Sequence, residues 1–202
     1  MLTASGVAQL GDFGLVTDDL ILGYGSQAGY FDHIAYEVWG GGATSRKTDV
    51  WALGMTLYRL LHGKAWYELS PPPKDSIKHG GFSDTLRWLP HVPKAWRRFI
   101  RKMLNDNSAL RYQSASQVLN ALSSLPTPAW STTVAPGKVL WEQRIGDRRR
   151  RVEWTERSAK KHEWKAWSEP VGKPGRNMSL GGSTNPISKA QLIRELEAFL
   201  EA

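Results

Sequence analysis

Apolar residues recur with a helical period through most of the chain and alternate with polar residues in its last third. Residues 48–62 are apolar around almost the whole circumference of a helix, which is typical of a buried helix, and Gly63 follows as a C-cap. Pro93 suits the first turn of a second helix. The apolar stripe of that helix has the spacing i, i+3, i+4, i+7 and i+8: Trp96, Phe99, Ile100, Met103 and Leu104. A capping box at residues 114–117 predicts a third helix.

The pattern changes after the Pro-Thr-Pro sequence at residues 126–128, which breaks the preceding helix. Apolar and polar side chains alternate over residues 139–145 and again over residues 152–154. The Gly146-Asp147 pair between the two stretches has the composition of a tight turn. Together these features predict a β-hairpin.

The segment after the hairpin predicts one more strand and a closing helix. Residues 162–167 are interpreted as a third strand, and residues 172–185 as a Gly-rich loop. A second capping box at residues 188–191 precedes an apolar helical pattern. We therefore predict a β-β-β-α module over residues 138–202, joined to the helical part by a linker at residues 127–137.

Composition narrows the class of protein. The 202 residues suit one or two domains, and a hydrophobic fraction of 41% is enough for a packed core. The chain has no cysteine, which excludes a disulfide framework and a thiolate metal site. No apolar run approaches the ~20 residues that span a bilayer, and residues 1–6 do not resemble a signal peptide. We expect a reducing, cytoplasmic location and no membrane partner.

Four short motifs follow one another across about a hundred residues. They are Asp-Phe-Gly at residues 12–14, Ala-Tyr-Glu at 35–37, Asp-Val-Trp-Ala-Leu-Gly at 49–54 and Asn-Ser-Ala-Leu-Arg-Tyr at 107–112. In this order they resemble the magnesium motif, the end of the activation segment, the central helix and a late arginine-bearing segment of protein kinases. The chain resembles the C-lobe of a Ser/Thr-type kinase that begins just before Asp-Phe-Gly. With the module that follows residue 126, we predict a mainly α fold: a kinase C-lobe helical subdomain and then a small α+β domain.

The resemblance implies a role for particular side chains. Asp12 would be the metal ligand, because a carboxylate suits Mg²⁺. Phe13 would pack under a helix of the N-lobe, and Gly14 would permit the following turn; these three residues would serve ATP and Mg²⁺ in a full-length parent. We expect neither cofactor to bind tightly to this chain by itself. Glu37 and Arg111 are similar to a buried ion pair that anchors the activation segment in this family.

Other residues of the kinase-like part have implied roles of lower specificity. Asp49 would accept backbone N–H groups from the catalytic loop, and Tyr36 stands where the family has proline. Thr17, Ser26 and Tyr30 are candidate phosphorylation sites in the activation segment, and Ser26 best resembles the family's hydroxyl near the substrate. Ordinary loop hydroxyls are the alternative interpretation of all three.

The glycine-rich loop, the nucleotide lysine and the catalytic-loop aspartate precede Asp-Phe-Gly in the kinase family. The resemblance therefore implies no catalytic residue within this chain, and it implies an internal start, a split gene or a truncation at Met1. The implied parent activity is ATP-dependent phosphoryl transfer to protein hydroxyls, with a protein as substrate. We expect residues 1–202 alone to be inactive. The alternative function is a non-catalytic module that binds protein or nucleic acid.

The net charge of +8 has two explanations: a solvated basic surface, which is the favoured one, or an anionic partner such as nucleic acid or an acidic protein. A run of four arginines, Arg148, Arg149, Arg150 and Arg151, lies near Trp141, Trp154, Trp164 and Trp167. Interleaved basic and aromatic residues suit nucleic-acid binding by phosphate contact and base stacking. In the favoured alternative, the tryptophans fill a small core and the arginines protect an edge strand from aggregation.

Overall fold

The computed structural model describes residue 5 and residues 31–70, 73–172 and 174–201, and for Phe31 only the backbone. The expected metal and nucleotide residues Asp12, Phe13 and Gly14, and the candidate phosphorylation sites, lie outside the described residues. No helix in the described ranges is long and apolar enough to cross a membrane.

The described part of the chain contains helices α1–α8, strands β1–β5 and short 3-10 turns at Phe31–His33 and Ser108–Leu110. The helices are α1 (Tyr36–Trp39), α2 (Arg46–His62), α3 (Lys64–Glu68), α4 (Lys74–His79), α5 (Phe82–Thr85), α6 (Lys94–Met103), α7 (Ala115–Ser123) and α8 (Lys189–Glu201). The strands are β1 (Ser131–Ala135), β2 (Lys138–Ile145), β3 (Arg148–Ser158), β4 (Lys161–Pro170) and β5 (Met178–Gly182).

Helix α2 is the centre of the helical part. A capping box starts it, because Lys47 N–H donates to the Ser45 side chain and Ser45 N–H donates to Thr48 Oγ1. Helix α6 crosses α2 at Gly54, where an added Cβ would lie 2.9 Å from Met103 Cβ. The close approach of the two helices therefore requires glycine at this position. The core around them includes fully buried aromatic and aliphatic side chains from both helices: Trp51, Met55, Ile100 and Met103.

The last third of the chain forms a five-stranded antiparallel sheet in the order β1-β2-β3-β4-β5. The predicted hairpin is present as β2 and β3, and the predicted third strand is β4. The prediction of a mainly α fold is wrong, because this sheet has two strands more than expected and accounts for much of the chain after residue 130. The β-β-β-α module is corrected to five strands followed by α8.

The two missed strands carry almost no periodic signal in their side chains. Strand β1 lies within the predicted linker at residues 127–137, and its side chains are at most half-buried. Strand β5 lies within the predicted Gly-rich loop, and all its residues are exposed. At Gly182, an added Cβ would lie 2.8 Å from the Trp164 carbonyl oxygen, so glycine allows β5 to approach β4. Backbone pairing with a neighbouring strand defines both elements.

One face of the sheet packs against α8 and forms a second core. Buried residues of β2, β3 and β4 meet Leu192, Leu196 and Leu200 of that helix. Successive residues of a strand point to opposite faces, so the other face carries Arg149 and Arg151 of β3. The sheet thus has an apolar side under α8 and a charged side.

Apolar packing, a hydrogen bond and an ion pair join the sheet to the helical part. Trp66 of α3 packs against both cores, and Leu89 belongs to the second one. Trp141 Nε1 donates to His91 Nδ1 at 2.9 Å, and Arg97 Nη1 lies 2.7 Å from Glu197 Oε1. The domain limits at residues 126 and 138 remain predictions; the structure adds a packed contact between the two cores.

Candidate functional site

The end of the predicted activation segment is attached to the helical core by one ion pair. Ala35 is buried and precedes α1, which places Glu37 beside Arg111. Arg111 Nη1 donates to Glu37 Oε1 at 2.7 Å, and Nη2 donates to Oε2 at 2.7 Å. This is the bidentate geometry in which a guanidinium and a carboxylate interact most strongly. The pairing expected from the kinase resemblance is therefore present in the structure.

The Arg111 guanidinium is fully buried, and each of its N–H groups has an acceptor. Beyond Glu37, the group donates to the carbonyl oxygens of Asn105 at 2.6 Å, Lys47 at 3.0 Å and Asp106 at 3.3 Å. Its carbon also lies 5.0 Å from the ring centroid of Trp51. A buried cation is tolerated when its charge is paired and its donors are satisfied. Arg111 consequently ties α1, the start of α2 and the segment after α6 to one point.

Tyr36, which stands where the family has proline, makes a contact of its own. Its ring lies against the turn between α4 and α5, where an added Cβ on Gly80 would be 3.5 Å from Tyr36 Cε2. Gly80 and Gly81 have φ of 81° and 77°, a region that favours glycine. Asp106 Oδ2 accepts the Gly81 N–H, so the turn is also attached to the segment that holds Arg111. The departure from the family pattern therefore serves packing against α4 and α5.

Asp49 lies in the first turn of α2, and its side chain is exposed. The 17 residues of α2 span about 25 Å. At the opposite end of α2, the Leu61 carbonyl oxygen contacts His91, which in turn meets Trp141 of the sheet. The sheet is therefore held at the end of α2 that is far from Asp49. The role of Asp49 towards a catalytic loop remains an expectation.

Two buried histidines between the cores were not identified from the sequence as functional. Leu89 N–H donates to His62 Nε2, and His91 Nδ1 accepts from Trp141 Nε1, so both rings must be neutral in these contacts. Burial, with a contribution from the nearby charge of Arg97, lowers the pKa of His62 to about 3 and that of His91 to about 4. Their spacing along the chain carries no signal of this arrangement.

The arginine run is largely engaged within the sheet. Arg149 and Arg151 lie within ion-pair distance of both Glu142 and Glu169, on the neighbouring strands β2 and β4. Arg148 donates to Ser168 Oγ at 2.9 Å. Arg150 is exposed.

The tryptophans near the arginine run pack as core and interface residues. Trp141 is fully buried, Trp154 packs against the second core, and Trp164 Nε1 donates to Glu195 Oε2 of α8 at 2.7 Å. Trp167 is half-buried and lies under the Lys165 ammonium. This arrangement favours a structural role of the tryptophans over a platform for stacked bases. The expectation that the arginines lie on an edge strand is wrong, because β3 is the central strand of the sheet and pairs with both β2 and β4.

The expected metal and nucleotide residues cannot be placed, since Asp12, Phe13 and Gly14 lie outside the described ranges. Within those ranges, no three or more histidine, aspartate or glutamate side chains gather as a metal site would require. The assignment of Mg²⁺ to Asp12 therefore rests on the sequence alone.

Comparisons with known proteins cover the helical part. A model of the protein kinase domain family matches residues 1–122. The serine/threonine-protein kinase PrkC of Bacillus subtilis is 28% identical over 112 residues, which are 53% of this chain and 17% of that protein. A probable serine/threonine-protein kinase of Clostridium acetobutylicum is 24% identical over 132 residues, or 62% of this chain and 20% of that protein.

The chain spans about a fifth of the length of these curated relatives. No solved structure matches it significantly. The family match includes all four motifs and both partners of the Glu37–Arg111 pair. Because the matched region is more than half of the sequence, this chain belongs to the protein kinase domain family.

Proposed function

We propose that this chain supplies the C-lobe part of a Ser/Thr protein kinase, whose reaction transfers the γ-phosphoryl group of ATP to a hydroxyl of a protein substrate. The observation that carries the proposal is the bidentate, buried Glu37–Arg111 pair. It holds the end of the activation segment at a fixed place on the helical core. The names of both relatives as serine/threonine-protein kinases support the same reaction class.

Phosphoryl transfer depends mainly on positioning and charge neutralisation. We propose that the Asp12 carboxylate would hold Mg²⁺, which would neutralise charge on the transferred group when bound. The task of Glu37 and Arg111 is to keep the backbone before α1 in place for the protein substrate. Tyr36 extends that attachment to the turn between α4 and α5.

The 202 residues themselves contain no His-Arg-Asp motif and no glycine-rich loop before Asp-Phe-Gly. Nothing in the sequence replaces the general base that accepts the substrate hydroxyl proton, or the lysine that pairs with the phosphates. We therefore propose that residues 1–202 alone do not catalyse the transfer, and that ATP and Mg²⁺ act with a longer polypeptide.

A phosphoryl-transfer assay tests both parts of this proposal. Radiolabelled ATP, Mg²⁺ and casein are incubated with residues 1–202 and, separately, with the product of the longest reading frame that contains them. We expect label on serine or threonine only with the longer product, and its loss in Asp12→Ala. Asp12-dependent transfer by residues 1–202 would refute the claim of inactivity. An inactive longer product would favour a non-catalytic binding module.

A further inference from the structure

A small cavity lies between α2, α3, α4 and α5, outside the ion-pair site. Its aromatic walls come from Tyr58, Trp66, Tyr67 and Phe82, and the exposed Arg87 lies at its edge. Its volume is about 140 Å³. Neither the family match nor the proposed phosphoryl transfer assigns a task to this cavity.

Contacts behind the walls hold the cavity in shape. Tyr58 OH donates to the Arg87 carbonyl oxygen at 2.8 Å, and Tyr67 OH donates to Asp32 Oδ2 at 2.7 Å. The Trp66 ring meets the Tyr58 ring edge to face at 5.8 Å. Because these side chains are already fixed, a ligand would not have to order them, and preorganisation of this kind favours binding.

The volume selects the size of the occupant. A cavity of about 150 Å³ is known to hold one benzene molecule. Pockets for whole small molecules are usually about 300–1,000 Å³. The cavity therefore fits one aromatic ring, such as a side chain that enters from a bound polypeptide, rather than a complete metabolite.

The hydroxyl groups of the lining residues favour a ligand whose ring carries a hydrogen-bond donor. Tyr58 and Tyr67 already donate as described, Ser70 Oγ donates to the Trp66 carbonyl oxygen at 3.0 Å, and Thr85 Oγ1 donates to the Phe82 carbonyl oxygen at 2.8 Å. Each of these oxygens keeps lone pairs and can accept. The cavity consequently offers aromatic surface and acceptors, which complement a phenol.

The positive charge of Arg87 at the edge of the cavity favours acidic residues next to the entering ring in the partner's sequence. The Arg87 guanidinium is exposed and makes no ion pair within the described residues. Arg87 lies beside Tyr58, whose hydroxyl donates to the Arg87 carbonyl oxygen at 2.8 Å. An acidic residue beside the entering ring would pair with Arg87 without displacing an existing partner.

We propose that this cavity binds the tyrosine side chain of an acidic segment on a partner protein. The ring occupies the space between Tyr58, Trp66 and Phe82, and its hydroxyl donates to a lining oxygen. A carboxylate next to the tyrosine pairs with Arg87. This binding needs no phosphoryl transfer, so it can be tested whether or not the proposed kinase function holds.

The test is fluorescence anisotropy of the full chain with a labelled peptide of sequence Asp-Glu-Tyr-Glu-Asp and its Phe and Ala analogues. We expect the Ala peptide to bind at least about tenfold more weakly, because the buried ring is lost. The Phe peptide should bind about fivefold more weakly, because one hydrogen bond is lost. Equal binding of the Tyr and Ala peptides would overturn the proposal.

Variants locate the binding to the cavity. Ser76→Phe fills the cavity and should abolish binding, whereas Ser123→Phe on the exposed side of α7 should not. Arg87→Glu should weaken binding about tenfold, whereas Arg98→Glu, an exposed charge on α6, should leave it unchanged. Thermal melts check that each variant folds. Equal losses in the two arginine variants would show general charge attraction and contradict the assignment.

A final arm separates a partner's tyrosine from a free phenol. The probe is p-cresol, which has the tyrosine side chain without a backbone or carboxylates. We expect it to compete with the peptide only at concentrations far above the peptide's dissociation constant. Competition by p-cresol at or below that concentration would mean that the site takes a free phenolic compound, and would overturn the proposed partner.

Discussion

At the residue scale, the buried charge of Arg111 joins three segments of the helical part. Its side chain is fully buried, and its donors join α1, the start of α2 and the segment after α6. An exposed pair such as Lys64–Glu68, at 3.6 Å on α3, gains little because water screens both charges. The two pairs differ in burial, so we expect them to differ in their contribution to the free energy of unfolding.

Removing the Glu37 carboxylate should leave an uncompensated buried cation. We expect Glu37→Ala to lower the free energy of unfolding by about 3 kcal/mol, the lower end of the usual range, because Glu37 is partly exposed. Glu68→Ala is the matched control and should change it by less than about 0.5 kcal/mol. Urea unfolding followed by circular dichroism measures both. Equal effects of the two substitutions would contradict the anchoring role.

At the element scale, the contact between α2 and α6 depends on one missing side chain. An added Cβ at Gly54 would lie 2.9 Å from Met103 Cβ and 3.1 Å from Leu104 Cδ2. Alanine favours a helix over glycine by up to about 1 kcal/mol, but overpacking a core costs about 1–3 kcal/mol. The clash is between packed, buried groups, so the packing penalty should exceed the gain in helix propensity.

Gly54→Ala should therefore destabilise the chain by about 1 kcal/mol, net of the improved helix propensity. Thr56→Ala, at an exposed position of the same helix, is the control: it improves helix propensity without a clash and should raise the stability by no more than about 0.7 kcal/mol. Thermal unfolding of both variants measures the difference. A Gly54→Ala variant more stable than the natural chain would show that α2 and α6 separate without loss.

Strand β3 carries the arginine run, which is the candidate surface for binding nucleic acid. Arg149 and Arg151 are paired with glutamates of the adjacent strands, which leaves few free cations for phosphates. We expect at most weak, non-specific binding that falls steeply with salt, because it would rest on counterion release. Filter binding with duplex DNA at two salt concentrations checks this. Tight, sequence-selective binding at high salt would contradict this expectation if it is lost when residues 148–151 become alanine. The sheet would then carry the chain's function as a nucleic-acid-binding surface.

At the scale of the whole molecule, His62 and His91 make the contact between the two cores dependent on pH. Burial lowers their pKa values from 6.5 to about 3 and about 4, so folding favours the neutral rings. The stabilisation is complete above pH 6.5 and is lost as the pH falls towards 4. Protonation of His91 at Nδ1 would also remove the acceptor of the Trp141 N–H.

The free energy of unfolding should therefore fall between pH 6.5 and pH 4, with His91 contributing about 3 kcal/mol. His91→Gln keeps an acceptor without titrating, so it should make the fall smaller by about 3 kcal/mol, while the part that His62 causes remains. His79→Gln, at an exposed position, should leave the slope unchanged. Denaturant titrations at several pH values provide the measurement, and an unchanged slope in His91→Gln would contradict this account.

Several local features were predictable because their signals are local. The apolar period and caps predicted α2, α6, α7 and α8, and turn chemistry with alternation predicted the hairpin of β2 and β3. These elements bury one face or are buried all round. The buried positions are apolar, and they recur along the sequence with the period of the helix or strand. The order of the kinase motifs likewise predicted that Glu37 and Arg111 would pair.

Other features were decided only by the tertiary structure. Strands β1 and β5 form the edges of the sheet, and their pairing uses backbone N–H and C=O groups. Every residue except proline carries both groups, so the sequence gives no signal of this pairing. The contact between the cores brings His91 to Trp141, 50 residues away, and the ring-sized cavity needs four helices in place. The sequence alone thus determined the family and the main helices, because periodicity and motifs are written in neighbouring residues. Edges, interfaces and cavities depend on distant residues meeting, and only the folded chain decides that.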